Sequence, residues 1–202
     1  MEKQEEVPKI NRQSKLAQIE HFEFLSYGTA QVFEARVNRL RKLRASLTFL
    51  GIVLPVTVGG MYISFSQSKE LMTGILSVAG GVGVVQLILS TWALVSGWDS
   101  QYELAIKSLQ GNTSNFNKCK RFATTEFRSD AEFISVYESI IRDVEQQELV
   151  DITQHISKKE KYTAYQESLT YYNRGCHSCN QNPSESSKSK TCSSCGQKRN
   201  NK

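Results

Sequence analysis

Between Ala45 and Gly97 only two charged residues occur, Lys69 and Glu70, and they divide the stretch into two uncharged runs. Residues 45–65, ASLTFLGIVLPVTVGGMYISF, supply 21 uncharged positions, and residues 71–97, LMTGILSVAGGVGVVQLILSTWALVSG, supply 27. A helix needs about 20 such positions to cross the hydrocarbon core of a bilayer. Paired buried helices of a soluble bundle are the alternative, but a helix of that kind keeps a charged stripe on its outward face, and neither run has one. Phe65, Trp92 and Trp98 lie towards the run ends, where interfacial aromatics collect. Pro55 and the Gly59–Gly60 pair are costly in soluble helices and common in membrane ones, and they predict a kink in the first span.

Arg36, Arg39, Arg41, Lys42 and Arg44 crowd immediately before the first run and should hold that flank in the cytoplasm. The connector SQSKE, residues 66–70, is short and nearly neutral, so it serves as an external turn between antiparallel spans. The expected fold is an all-α, multi-pass membrane protein built on a two-helix transmembrane hairpin, with both termini cytoplasmic. Its parts are a polar amphipathic helix at 1–44, spans at 45–65 and 71–97, a cytoplasmic helical region at 98–172 and a tail at 173–202. The first 44 residues are too long and too acidic for a secretory signal, so the first span is expected to remain in the mature chain.

Ile19, Phe22, Ala30, Phe33, Val37 and Leu40 fall on a coiled-coil-like stripe. After the second run, Trp98, Tyr102, Ile106 and Leu109 continue the pattern, which predicts that the membrane helix runs on into the cytoplasm until Gly111-Asn112 stops it. Ser129-Asp-Ala-Glu132 has capping-box spacing and announces a helix whose stripe is Phe133, Tyr137, Ile140 and Val144. Ile152, Ile156, Tyr165, Leu169 and Tyr172 suggest a last helix. These seams suit homo-oligomerisation or packing within one chain. Cys119 falls between helical segments and reads as a small buried apolar side chain.

The net charge of +5 sits in the tail, where Arg174, Lys188, Lys190, Lys198, Arg199 and Lys202 face one acid, Glu185. The remainder of the chain is balanced, so a nucleic-acid partner is not expected. The tail holds no Val, Leu, Ile, Met, Phe, Tyr or Trp, and no apolar core can order it. Four of the five cysteines lie there, as Cys176-His-Ser-Cys179 and Cys192-Ser-Ser-Cys195 with twelve residues between them. That spacing lets four thiolates converge on one tetrahedral structural zinc ion, with no open position for a substrate. Zinc binding worth about 10–16 kcal/mol, set against about 1–2 kcal/mol per ordered residue, fixes the knuckles and leaves the connector QNPSESSKSK flexible. Gly196 suits the tight turn that follows a knuckle. A redox dithiol, a disulfide pair, or His177 in place of one cysteine are the other readings. The first lacks a surrounding strand–helix alternation, and the cytoplasmic placement disfavours the second.

The basic run Arg36–Arg44 leading into LTFLGIVLPVTVGG, followed by ILSVAGGVGVVQLIL, resembles the SLATT family, the SMODS- and SLOG-associating two-transmembrane effectors, over roughly residues 10–170. The tail is similar to that of mobile-element membrane proteins with paired CxxC motifs about eleven residues apart, where this chain has twelve. The resemblance implies an antiviral, pore-forming effector of a bacterial conflict system in the inner membrane. Such an effector oligomerises and permeabilises the membrane when a nucleotide-sensing or nucleotide-synthesising partner is triggered. Ser77, Gly80, Gly81 and Gly83 would permit close helix packing, and Gln86 would set an amide at mid-membrane, for an interhelical hydrogen bond or a pore lining. The alternative is a membrane-anchored scaffold whose zinc knuckles recruit a protein or nucleic-acid partner. Enzymatic activity is not expected, because the cytoplasmic helices hold no grouping of nucleophile, base and orienting group, and His21 and His155 stand alone.

Overall fold

A computed structural model describes residues 11–65, 69–180, 182, 192 and 194–196. The connector residues 181 and 183–190, and residues 66–68 of the expected external turn, lie outside the described residues. The fold is all-α: α1 (Arg12–Phe65), α2 (Lys69–Val95), α3 (Trp98–Thr124), α4 (Asp130–Ile152) and α5 (Lys158–Tyr171). Two compact units divide the chain, Ala35–Ala105 and the combination of Met1–Glu34 with Ile106–Lys202.

In the unit Ala35–Ala105, α1 carries Pro55 without losing helical backbone on either side. Thr48, Thr57, Ser64 and Ser77 each return a side-chain hydroxyl to a carbonyl one turn back. That is how a hydroxyl is satisfied where no water competes. α1 and α2 each contain a stretch long and apolar enough to cross a membrane, and none of the residues in either stretch is buried. The second helix does not run on as the sequence suggests. It ends at Val95, Gly97 adopts a left-handed φ of 62°, and α3 starts afresh at Trp98. Gly97 donates its N–H to the Leu94 carbonyl, and Gln101 Nε2 donates to the Ser96 carbonyl at 2.7 Å, which occupies two acceptors at the break.

In the other unit, Asn11 caps α1 by accepting the Ser14 N–H. One core gathers Ile19 of α1, Cys119 and Phe122 of α3, and Phe133, Tyr137, Ile140 and Val144 of α4, the last four being the stripe read from spacing. Ser129 caps α4 by accepting the Glu132 N–H, while the Glu132 carboxylate reaches back to the N–H of Arg128. One seam of buried residues on α1 runs through positions 19, 23, 26, 30 and 33 and includes the polar Glu23 and Ser26, with Gly28 and Val32 buried outside it.

α3 overturns two expectations. It passes straight through Gly111-Asn112, and its buried face is Ala105, Ser108, Asn112, Asn115, Cys119 and Phe122, displaced by one residue from the apolar stripe Trp98–Tyr102–Ile106–Leu109. Polar side chains hold this seam because α4 answers them. Asn112 Nδ2 donates to Asp151 Oδ2 at 2.7 Å, and Gln147 Nε2 donates to Asp151 Oδ1 at 2.7 Å. Gly111 makes room, since a Cβ there would meet the Gln147 side chain at 1.8 Å. Cys119 lies inside α3, fully buried, and not between helices; burial, followed by the nearby Glu23 charge, pushes its thiol up to about 12. The last helix is also shorter than the spacing suggests. Ile152 ends α4, Ile156 lies between helices, and α5 opens on a capping box in which Ser157 and Glu160 satisfy each other's backbone N–H.

Candidate metal centre

The side of α5 that faces the knuckles is set by helical spacing: Tyr162, Tyr165, Gln166 and Leu169 lie one turn apart along one face. Ser168, on the neighbouring face, donates its hydroxyl to the Phe24 carbonyl of α1 at 2.7 Å. At Gly28 the two helices come so close that a Cβ would lie 2.2 Å from the Ala164 carbonyl oxygen. Phe24 packs edge-on against Tyr165, and Tyr27 stacks on Tyr171 with ring centroids 4.1 Å apart. Tyr172 donates its hydroxyl to the buried Glu23 at 2.6 Å; burial, and then that carboxylate, push the phenol well above its usual range.

Onto this platform the chain folds two matching turns. Asn180 N–H donates to the Cys176 carbonyl at 2.7 Å, and Gly196 N–H donates to the Cys192 carbonyl at 2.9 Å. The residue after each knuckle has positive φ, 54° at Asn180 and 69° at Gly196. Asparagine and glycine tolerate that conformation best, which is why both turns close in the same way.

The four sulfurs of Cys176, Cys179, Cys192 and Cys195 all lie within 4.8 Å of one another, and none is in a disulfide. Cys179 Sγ and Cys195 Sγ are 3.7 Å apart. Four thiolates on a tetrahedral zinc at about 2.3 Å would be about 3.8 Å apart, so the donor set fits such an ion. Cys176, Cys192 and Cys195 are buried and Cys179 is half-buried. The backbone N–H of Cys195, helped by that of Ser194 and opposed by burial, draws the Cys192 thiol down to about 6. N–H groups aimed at a sulfur stabilise the thiolate that a metal requires.

The knuckles are anchored as well as paired. Gln166 Nε2 donates to the Cys195 carbonyl, the Tyr165 hydroxyl meets His177 Nδ1 at 2.7 Å, and the Ser178 and Ser194 hydroxyls bond across the two turns at 2.6 Å. His177 is thus engaged through its ring and stands outside the four-sulfur group. Leu169 is buried among the cysteines, with Phe24 and Tyr165 against it. This platform went unread in the sequence. The signals for it were the tyrosine-rich face of YTAYQESLTYY and a glycine, Gly28, inside a strongly helical pattern.

Elsewhere, Ser77, Gly80 and Gly81 are exposed on α2, and Gly83 and Gln86 are half-buried. A Cβ at Gly80, Gly81 or Gly83 would meet nothing within 4 Å, whereas Gln86 Nε2 lies 3.4 Å from the Cβ position of Gly51 on α1. Arg39, Arg41 and Lys42 are exposed, Arg36 is half-buried, and Arg44 Nε pairs with Asp99 Oδ1 at 2.6 Å. His21 is exposed on α1, and His155 lies between α4 and α5 with φ 47°.

Comparison with curated proteins and with solved structures finds no match. The family described as Mobilome CxxCx(11)CxxC protein matches residues 16–198, and thus takes in the helices as well as the knuckles. Its description allots eleven residues between the motifs; in this chain one more lies in the connector, while the four sulfurs still converge. With nearly its whole length matched and its four cysteines assembled as a potential metal-binding cluster, the chain belongs to this mobile-element-associated family.

Proposed function

We propose that the chain is a two-span inner-membrane protein of the SLATT type with both flanks cytoplasmic. It acts as a non-enzymatic effector of a bacterial conflict system, assembling with copies of itself to breach the membrane when a nucleotide-sensing partner is triggered. The observation that carries this reading is that, among the described residues, none in either apolar stretch is buried. The core helix of a soluble protein is mostly covered, whereas here Leu94 is 81% exposed and Ile63 79%. Each such side chain left in water forgoes about 1.5–3 kcal/mol, which lipid or a sister helix restores. Arg36 to Arg44 set the orientation, and the open faces of Gly80, Gly81 and Gly83 leave space for another helix.

Zinc is the ion the four thiolates suit, and it would supply a closed structural cross-link holding the knuckles on α5. The test is expression in a bacterial host beside a candidate nucleotide-sensing partner, with insertion checked by resistance to alkaline carbonate and the membrane followed with a potential-sensitive dye. Collapse of the potential is expected on triggering. An inserted protein that leaves the potential intact, with its partner present and triggered, overturns the effector reading.

A second reading, a membrane-anchored scaffold that recruits through its knuckles, is favoured by the exposed His177 and Ser178 at the knuckle edge. Under that reading, deleting residues 173–202 abolishes recruitment and the remaining hairpin is harmless; a toxic truncated hairpin counts against it.

A further inference from the structure

Arg44 is the last charged residue before the first apolar stretch and Asp99 the first after the second, so on the membrane reading, on which this inference rests, both stand at one boundary. A cleft of about 290 Å³ opens there, lined on its polar side by Arg44, Asp99, Trp98 and Ser90 and on its apolar side by Leu47 and Leu94. That is the lower end of the range for small-molecule sites, about 300–1,000 Å³.

The polar groups in this cleft retain bonding capacity. Arg44 commits its Nε to Asp99 Oδ1 and lays its guanidinium over the Tyr102 ring at 4.6 Å, which leaves the terminal N–H groups available. The Asp99 side chain is 75% exposed and has a second carboxylate oxygen to offer. Among the described residues the Trp98 indole N–H has no acceptor, and Ser90, unlike Thr48, Thr57, Ser64 and Ser77, returns no hydroxyl to its own helix. A donor or hydroxyl at the edge of hydrocarbon requires a partner.

We propose that this cleft binds the headgroup of a zwitterionic, primary-amine phospholipid of the phosphatidylethanolamine class. Its phosphate takes the Arg44 terminal N–H groups and the Trp98 indole, its ammonium takes the free oxygen of Asp99, and an acyl chain follows Leu47 and Leu94. The match is one of charge: the site presents one cation and one anion side by side. A purely anionic headgroup meets Asp99 without compensation, and a quaternary ammonium has no N–H to give it.

The test uses the full chain, purified in detergent and offered an equimolar mixture of phosphatidylethanolamine, phosphatidylcholine and phosphatidylglycerol with identical acyl chains. Retained lipid is counted by native mass spectrometry. Retention of the ethanolamine lipid is expected to exceed each of the others about tenfold, the size of one charge-assisted hydrogen bond. Asp99→Asn should bring the three lipids to parity, Arg44→Gln and Trp98→Phe should lower phosphate-dependent retention of all three, and Arg39→Gln, outside the cleft, should leave the preference intact. Equal retention by the wild type, a preference for the glycerol lipid, or a preference that survives Asp99→Asn overturns the site. The same preparations in vesicles are washed with alkaline carbonate. Protein that stays inserted without headgroup preference removes the site alone, whereas protein washed free removes the membrane reading and the site together.

Discussion

Replacing Gly28 with alanine separates two forces of opposite sign. Helix propensity alone favours the change, because alanine is better than glycine in a helix interior by about 1 kcal/mol. The structure opposes it: the new Cβ would sit 2.2 Å from the Ala164 carbonyl oxygen, 2.5 Å from Ser168 Oγ and 2.8 Å from the Ala164 carbonyl carbon. Two of those atoms are backbone, so no side-chain rotation relieves the overlap, and α5 has to move off α1 at the cost of the Ser168 bond to the Phe24 carbonyl. Overpacking of this kind costs about 3 kcal/mol at the upper end of its usual range, leaving α5 less firmly held by about 2 kcal/mol. That is roughly a thirtyfold rise in the opening equilibrium. Hydrogen exchange read by mass spectrometry on peptides from residues 158–172, with the full chain in detergent, should show amide exchange accelerated by about that factor, while peptides from α4 change far less. Exchange in α5 that is unchanged or slower would mean that the α1–α5 approach is looser than described and that propensity decides the outcome.

Metal analysis of the purified chain should find one zinc ion per molecule, and Cys176→Ser should lose it, since three thiolates no longer close the tetrahedron. Gly196→Ala should weaken zinc retention against a chelator about tenfold or more, because alanine at φ 69° costs about 1–2 kcal/mol and its Cβ would lie 2.8 Å from the Tyr162 ring. Cys119, held up to about 12 from an ordinary 9.0, should resist iodoacetamide at pH 9. Because its folded value is the higher one, its contribution to stability is full below pH 9 and declines as pH rises towards 12; Cys119→Val should flatten that decline, measured by denaturant titration at successive pH values. Asn112→Ala should destabilise the α3–α4 contact by about 1.5–3 kcal/mol, since Asp151 loses a donor to its buried charge, read as faster exchange in residues 105–122.

What could be read from the sequence were features in which composition and spacing coincide. The α4 stripe is apolar at each step, Ser129 and Glu132 are spaced to cap, and the four cysteines sit in two short motifs, so local rules sufficed. The uncharged runs predicted two membrane-length helices on length alone. Most of the misreadings share one cause, a partner distant in sequence that decides the outcome. Gly111-Asn112 looks like a helix terminus until Gln147 and Asp151 are placed opposite it, where the glycine admits one and the asparagine bonds the other. The Trp98–Leu109 stripe follows hydrophobicity, but the face that became buried carries Ser108, Asn112 and Asn115, because α4 supplies polar partners. Gly97 falls inside the second uncharged run, yet as a single left-handed glycine it follows the end of α2 at Val95. The platform beneath the cysteines depends on α1 meeting α5, and no periodicity within either helix reports that meeting.

The bonds that join α1 to the platform, Ser168 to Phe24 and Tyr172 to Glu23, span 144 and 149 residues of chain. During synthesis both the side of α1 that carries Ile19 and the side that carries Phe24 and Gly28 therefore emerge long before anything able to cover them. Cys192 and Cys195 leave the ribosome later still, after every side chain they rest on. The four-cysteine cluster can therefore close only after α1 to α5 have all been made, and a chain cut short within the connector would lack two of its four sulfurs.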